Sequence, residues 1–212
     1  MTRICIVCEG PTEVEFIQQC IEPHLRDYGK YVYPSIIQSP SGRGRGGRVT
    51  VERLASHMHR EYYSTDRITS LVDFYGFQRS VGRSKQQLES DILSQICNLN
   101  PRVVRGFILP YVQMYEFEGI LFSDVEKFEY VLDGWDEEAR EKLLGIKQQF
   151  SSPEDINNSR QTAPSKRLEA IFSNGAYSKT EHGPIIAEEI GLTTIRQQCP
   201  GFNDWLSHLE CW

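Results

Sequence analysis

Residues 4–16 read ICIVCEGPTEVEF. Ile4 to Cys8 form a short apolar run of the kind that makes a fully buried strand, here expected over residues 3–8. Gly10-Pro11 punctuates its end. Thr12 then opens a helix with Glu15 three residues on, a capping-box pattern, and an apolar stripe of Val14, Ile17 and Ile21 with Phe16 and Cys20. Two carboxylates, Glu9 and Glu13, flank the turn. A buried strand gains no stability from acids at its end, so these two call for a separate reason.

The pattern continues outward. Residues 31–38 read as a second strand, 49–62 as a helix, and 67–74 (RITSLVDF) as a third strand that reaches Asp73. Residues 84–98 carry Leu88, Ile92 and Ile96 at helical spacing, and 106–114 (GFILPYVQM) read as a fourth strand with a bulge or edge at Pro110. Beyond it strand signals fade. Helices are expected at 136–150, 165–173 and 183–191 and in the aromatic tail from Phe202, with a loop over 151–165. Alternating strands and helices in the first half predict βαβ units, hence an α/β fold with a mostly parallel sheet flanked by helices. The division expected is an α/β domain over 1–125 and a smaller helical C-terminal part over 126–212.

Ligands of parallel sheets bind outside the carboxyl ends of the strands. Glu9 and Asp73 end strands there, and Glu116 and Glu118 follow the fourth strand in YEFEGILF. If that segment is extended the last two share a face; if helical they do not. Carboxylates that converge repel one another unless a proton or a cation sits among them. Hard oxygen donors select magnesium, manganese or calcium, and magnesium held by a few carboxylates suits phosphoryl chemistry. Glu13 has a simpler candidate role beside the helix dipole, and Glu15 has its cap.

Three further stretches matter. SGRGRGGR (41–48) offers Arg43, Arg45 and Arg48 among glycines that let backbone amides approach an anion, but it lacks the Gly-Lys-Ser/Thr of a Walker loop. PSKRL puts Lys166 and Arg167 at a helix start, where cations oppose the dipole, so either a phosphate or a neighbouring acid must balance them. His182 lies in a loop, where a surface role is favoured over proton transfer.

Composition sets limits. The 212 residues carry 39% hydrophobic and 11% aromatic side chains, enough for a packed core rather than disorder. The formal charge of −6 excludes binding of nucleic acid by bulk charge, so any such contact needs a local patch or a partner. No run approaches the roughly 20 apolar residues of a membrane helix, and no signal peptide is evident. The six cysteines are scattered, which predicts reduced thiols and a cytoplasmic setting. Cys5 and Cys8 lie three apart on a strand and point to opposite faces, so this Cys-x-x-Cys pair does not close on a metal. His57 and His59 fail likewise on a helix.

VCEGPTE followed by a strand ending in LVDF resembles the Toprim domain, more narrowly that of the OLD-type nucleases. The wider series LVDFYGF, YVQMYEFEGILFSD, INNSRQTAPSKRLE and EHGP is similar to a family of small stand-alone Toprim-like proteins, many encoded beside ATPases. The resemblance spans most of the chain. It implies a Mg2+- or Mn2+-dependent nuclease that hydrolyses nucleic-acid phosphodiester bonds, DNA or RNA, in defence against foreign (phage) nucleic acid, with an ABC-type or AAA ATPase partner. It implies metal or acid-base roles for Glu9, Glu13 and Asp73. The second aspartate of the family's Asp-x-Asp is absent: Phe74 and Tyr75 follow Asp73. Glu116 or Glu118 is the expected replacement ligand, Lys166 a candidate catalytic cation, and Arg43, Arg45, Arg48, Lys166 and Arg167 candidate nucleic-acid contacts. The alternative is a regulatory or binding subunit of an ATPase complex, built on the same scaffold. A topoisomerase would need a strand-gating body that 212 residues leave little room for.

Overall fold

The computed structural model describes residues 1–38, 49–78, 82–157 and 159–212. Arg43, Arg45 and Arg48 lie outside the described residues. The chain divides into two compact units, Met1–Gln113 with His208–Trp212, and Met114–Ser207.

In the first unit, β1 (Thr2–Cys8), β2 (Lys30–Ile36), β3 (Arg67–Asp73), β4 (Ile108–Leu109) and β5 (Val112–Gln113) form one sheet in which every pairing is parallel. The order is β2-β1-β3, with β4 and β5 both on the far side of β3. Ile4 to Cys8 are wholly buried, as a central parallel strand covered on both faces requires. From β1 the chain steps to one side to β2, then returns past β1 to β3 and continues to β4. Right-handed crossovers put the first connecting helix on one face and α3 (Val51–Glu61) and α4 (Lys85–Leu99) on the other. The direction of winding therefore reverses between β1 and β3, the topological switch point where parallel sheets open a crevice.

The first helix runs as α1 (Pro11–Phe16), a π-helical turn (Ile17–Ile21) and α2 (Glu22–Asp27). Pro23 supplies a reason for the wide turn: its ring crowds the carbonyl four residues back, and the Glu22 N–H bonds Ile17 five residues back instead. Phe16, Ile17, Cys20, Ile21 and Leu25 bury the stripe, while Val14 is only partly covered. α4 begins with a two-way cap: Gln87 N–H donates to Ser84 Oγ at 3.1 Å, and Ser84 N–H donates to Gln87 Oε1 at 2.7 Å. Leu88, Ile92 and Ile96 face the core.

The expected fourth strand is interrupted. Arg105–Phe107 is a 3₁₀ turn, and β4 and β5 are separated around Pro110, which has no N–H for a ladder. Side chains of β3 fill the gap. Thr69 Oγ1 donates to the Leu109 carbonyl at 2.6 Å, while Ser70 Oγ accepts from Tyr111 N–H and donates to its carbonyl, each at 2.9 Å.

The second unit contains α5 (Glu118–Leu121), α6 (Glu137–Lys147), α7 (Pro164–Ile171), α8 (Lys179–Gln198) and most of α9 (Pro200–Cys211). α8 is longer than the expected 183–191 and kinks at Gly191, whose φ of 76° suits glycine. Phe128, Phe172 and Tyr177 stack in its core, with centroids 5.8 and 6.3 Å apart along that series. Among the described residues no helix is long and apolar enough to cross a membrane, and all six cysteines are free thiols.

Candidate functional site

Glu9 and Asp73 stand at the switch point. Glu9 follows β1 directly, and its Oε1 accepts the backbone N–H of Asp73, the last residue of β3, at 2.9 Å. One carboxylate thus ties the carboxyl ends of the two strands between which the winding reverses. Both side chains are partly exposed. The 3₁₀ turn Phe74–Gly76 then brings Gly76 against Glu9. A Cβ at Gly76 would lie 2.2 Å from Glu9 Oε1 and 2.6 Å from Oε2, so the close approach requires glycine.

Glu13 corrects the sequence reading of the helix start. The helix begins at Pro11, whose fixed φ suits a first helical position, so the acid of the capping turn is Glu13 and not Glu15. Gly10 N–H donates to Glu13 Oε2 at 3.0 Å, and Glu13 is only 4% exposed. Glu15 is exposed and accepts from Gln19. Cys8 reports the local field: burial pushes its thiol well above the ordinary range, and the Glu13, Cys5 and Glu9 charges add to that. Burial likewise pushes Cys5 up to about 12, so neither is a reactive thiolate.

The segment between β2 and α3 starts and ends at this rim. Ile37 N–H donates to the Cys8 carbonyl at 2.9 Å. On return, Val49 N–H donates to the Gly76 carbonyl at 3.1 Å, and Gln78 N–H donates to that of Val49 at 2.8 Å.

In the second unit, YEFEGILF turns helical at Glu118, so Glu116 and Glu118 do not share a face. Glu116 is partly exposed, and its Oε2 accepts the Ser165 N–H at 2.9 Å, in the first turn of α7. Glu118 is 0% exposed and forms an ion pair with Lys179 Nζ at 3.1 Å. The Tyr177 hydroxyl is raised well above its ordinary pKa, first by burial and then by the Glu118 charge. Lys179 and Gly76 carry no local signal that sequence reasoning could have used. One is placed by a distant acid, the other by close packing.

Lys166 is exposed and paired with Glu169 at 2.6 Å, which keeps the ammonium charged. Arg167 Nε donates to the Thr162 carbonyl at 2.7 Å, and its guanidinium lies 5.5 Å from the Phe150 ring centre. His182 Nδ1 accepts from Ser178 N–H at 2.9 Å, and its ring stacks on Tyr177. His57 is buried, with Nε2 2.9 Å from Ser35 Oγ, while Arg60 donates to Nδ1 at 3.2 Å. Those partners put the proton of the neutral ring on Nε2, so His57 is no base toward Ser35. Among the described residues no group of three or more His, Cys, Asp or Glu side chains is already arranged to hold a metal ion. The donor chemistry of Glu9, Glu13 and Asp73 nonetheless suits a hard cation.

A parallel α/β sheet with carboxylates at its switch point defines the class of protein. The chain belongs to the DUF4276 family, a domain of unknown function whose model matches residues 8–210. No curated protein matches it. Two solved structures are similar in outline. The C-terminal region of the Burkholderia pseudomallei OLD protein is 16% identical with a TM-score of 0.48, covering 97% of this chain and 99% of that one. The C-terminal region of the Xanthomonas campestris pv. campestris OLD protein is 15% identical with a TM-score of 0.41, covering 98% and 97% respectively.

Proposed function

We propose that the protein is a Toprim-like, metal-dependent phosphodiester hydrolase acting on nucleic acid, with Glu9, Asp73 and Glu13 as the acids for Mg2+ or Mn2+. The observation that carries this reading is the Glu9–Asp73 link across the β1–β3 switch point. A backbone N–H fixes a carboxylate oxygen without neutralising it, so the link orients Glu9 while its charge is retained. A divalent ion held by such acids supplies positive charge to a phosphoryl oxygen and lowers the pKa of a bound water. Gly76 packs against Glu9 and limits where its carboxylate can sit. Glu13 adds negative charge from a buried, hydrogen-bonded position.

Glu116, held by the Ser165 N–H within the second unit, stays a proposed metal-binding acid. Glu118 is better read as the anchor of Lys179, because its charge is buried and already opposed. Arg43, Arg45 and Arg48 are proposed phosphate contacts, since the flanking Ile37 and Val49 bond to Cys8 and Gly76 at the acid rim. Lys166 and Arg167 are proposed as weaker ones. A role in phage defence with an ATPase partner, which follows from the resemblance, and a cytoplasmic setting, which follows from the scattered cysteines, belong to the same proposal.

The test is manganese titration calorimetry together with cleavage of a mixed panel of single- and double-stranded DNA and RNA. Metal binding and metal-dependent cleavage that are both lost in Glu9→Gln support the reading. Tyr75 in the place of an aspartate favours a second reading, a binding subunit on the same scaffold. Nucleic-acid binding without cleavage in any divalent ion would select it.

A further inference from the structure

At the other end of β3, away from Asp73, the first unit presents a surface in which aromatic and cationic groups interleave. Tyr63 is 63% exposed, Leu99 44% and Val104 47%, and Arg102 and Arg105 are exposed beside them. The pieces are joined by hydrogen bonds. Asn100 Nδ2 donates to the Tyr63 hydroxyl at 2.7 Å, and Arg102 N–H donates to Asn100 Oδ1 at 2.9 Å. Val104 N–H donates to the Tyr62 hydroxyl at 3.0 Å. The Tyr63 hydroxyl also meets His59 Nε2 at 3.0 Å, and the Tyr62 and Tyr63 rings stand edge to face, 5.5 Å apart. Both rings are therefore held at their hydroxyl ends, and the Tyr63 ring is presented to solvent in a fixed attitude. Next to them Arg67 stacks its guanidinium 3.8 Å from the centre of the Phe107 ring. Asp66, whose carboxylate accepts the Arg3 N–H, and the partly exposed Glu61 just before Tyr62 are neighbouring acids.

We infer that this face binds single-stranded nucleic acid, with Tyr63 stacking on a base and Arg102 and Arg105 contacting phosphates. Exposed apolar side chains grouped on one face mark interaction sites, whereas single ones are ordinary, and Tyr63, Leu99 and Val104 are exposed on this one. In a chain of net charge −6, a face that is locally basic calls for a polyanion. Rigid rings beside guanidinium groups are the chemistry of strands whose bases are unstacked, because every base offers a π-face. A duplex would offer phosphates to the arginines and leave Tyr63 without a role. The inference deepens the nuclease reading and rests on it for its consequence: six residue steps of β3, about 20 Å, separate this face from the acid rim, so a strand could be held at one end of the sheet and cut at the other.

Fluorescence anisotropy of a labelled single-stranded oligonucleotide, with divalent ions chelated so that cleavage plays no part, tests the binding directly. Tyr63→Ala should weaken binding roughly tenfold. Tyr63→Phe, which keeps the ring and loses the hydroxyl, should retain most of it and controls for folding. Arg102→Ala with Arg105→Ala should lower the slope of log affinity against log salt by about 0.7 per arginine. Unchanged affinity and slope in both variants overturn the inference. So does a switch from self-associated to monomeric protein with oligonucleotide binding intact, which would make the face a protein interface. Metal-dependent cleavage that survives either result leaves the nuclease reading standing. Variants that lose strand binding in a protein that cleaves nothing support the face and sink the nuclease.

Discussion

The first unit's Glu9 and Glu13 and the second unit's Glu118 are held in opposite ways. In the first, Glu9 and Glu13 are fixed by backbone N–H groups at the ends of strand and helix. In the second, Glu118 is sealed in the core against an ammonium group, while Glu116 sits on the N-terminal turn of a helix. A backbone donor orients a carboxylate and leaves its charge for another ion, whereas a lysine spends that charge on the fold. The difference teaches that a pair of acids in a motif such as EFEG is no evidence of shared work. Two residues at the start of a helix put Glu116 and Glu118 into different surroundings.

The largest expected effect would break that contrast outright. Neighbours of metal ligands are worth 10–100-fold in affinity or activity, so removing a ligand charge should cost about a hundredfold or more. Asp73→Asn and Glu9→Gln should each lose that much metal-dependent cleavage and most manganese affinity. Gln keeps an acceptor for the Asp73 N–H, so the Glu9 variant should stay folded. Alanine is the wrong choice there, because it removes the Glu9–Asp73 bond together with the charge. Glu118→Gln should do the reverse: manganese affinity at the first unit's acids kept, and roughly 1–3 kcal/mol lost in urea unfolding from the orphaned buried contact. If all three variants behave alike, the two acid sets are not different in kind.

Gly76→Ala sharpens the same comparison without touching a charge. The added Cβ must displace the Glu9 carboxylate from its bond to Asp73. Cleavage should fall about ten- to a hundredfold while the melting temperature changes little. Full activity in this variant would mean that the position of Glu9 is unimportant to the chemistry.

How much of this was legible in sequence depends on range. Ile4 to Cys8, the Leu88, Ile92 and Ile96 stripe and the strand-end positions of Glu9 and Asp73 are local patterns, and they are found where periodicity and turn chemistry put them. The capping acid was misread because the N-cap is Gly10, two residues before Thr12. The fourth strand was read as one strand with a bulge or edge at Pro110, because nothing in 106–114 shows that Thr69 and Ser70 hydroxyls take over the ladder there. Lys179 beside Glu118 is a tertiary pairing with no periodic trace. The arginines of 41–48 fall outside the described residues.

A smaller effect separates a structural group of the first unit from its acids. Burial holds the His57 pKa below its ordinary value of 6.5, with the Glu61 charge opposing and Arg60 and Arg53 assisting. The unfolded chain therefore binds more protons below about pH 6.5, and stability should fall as pH drops from there until the folded value is passed. The slope due to this one group is at most about 1.4 kcal/mol per pH unit. Urea unfolding between about pH 7.5 and 5.5 should show a flatter profile in His57→Gln, with manganese affinity at neutral pH unchanged. An unaltered profile would mean that other groups govern the acid limb.

The smallest effect concerns Lys166, the cation for which sequence offered a salt bridge or a phosphate. Its ammonium is already held by both oxygens of Glu169, at 2.6 and 2.8 Å. An exposed pair three residues apart contributes little to a helix, so Lys166→Ala should leave the melting temperature where it is. The ion pair does not exclude a phosphate, because an ammonium has three donors and Glu169 need not use them all. The discriminating quantity is the salt dependence. A lysine that contacts a phosphate contributes about 0.7 to the slope of log affinity against log salt on a single strand, so its loss should lower the slope by that amount for every sequence alike. A lysine that serves only Glu169 should leave the slope unchanged, and Glu169→Gln then separates the cases. Freed of its acid, a phosphate-binding Lys166 should bind nucleic acid slightly more tightly, whereas a purely structural one should not respond at all.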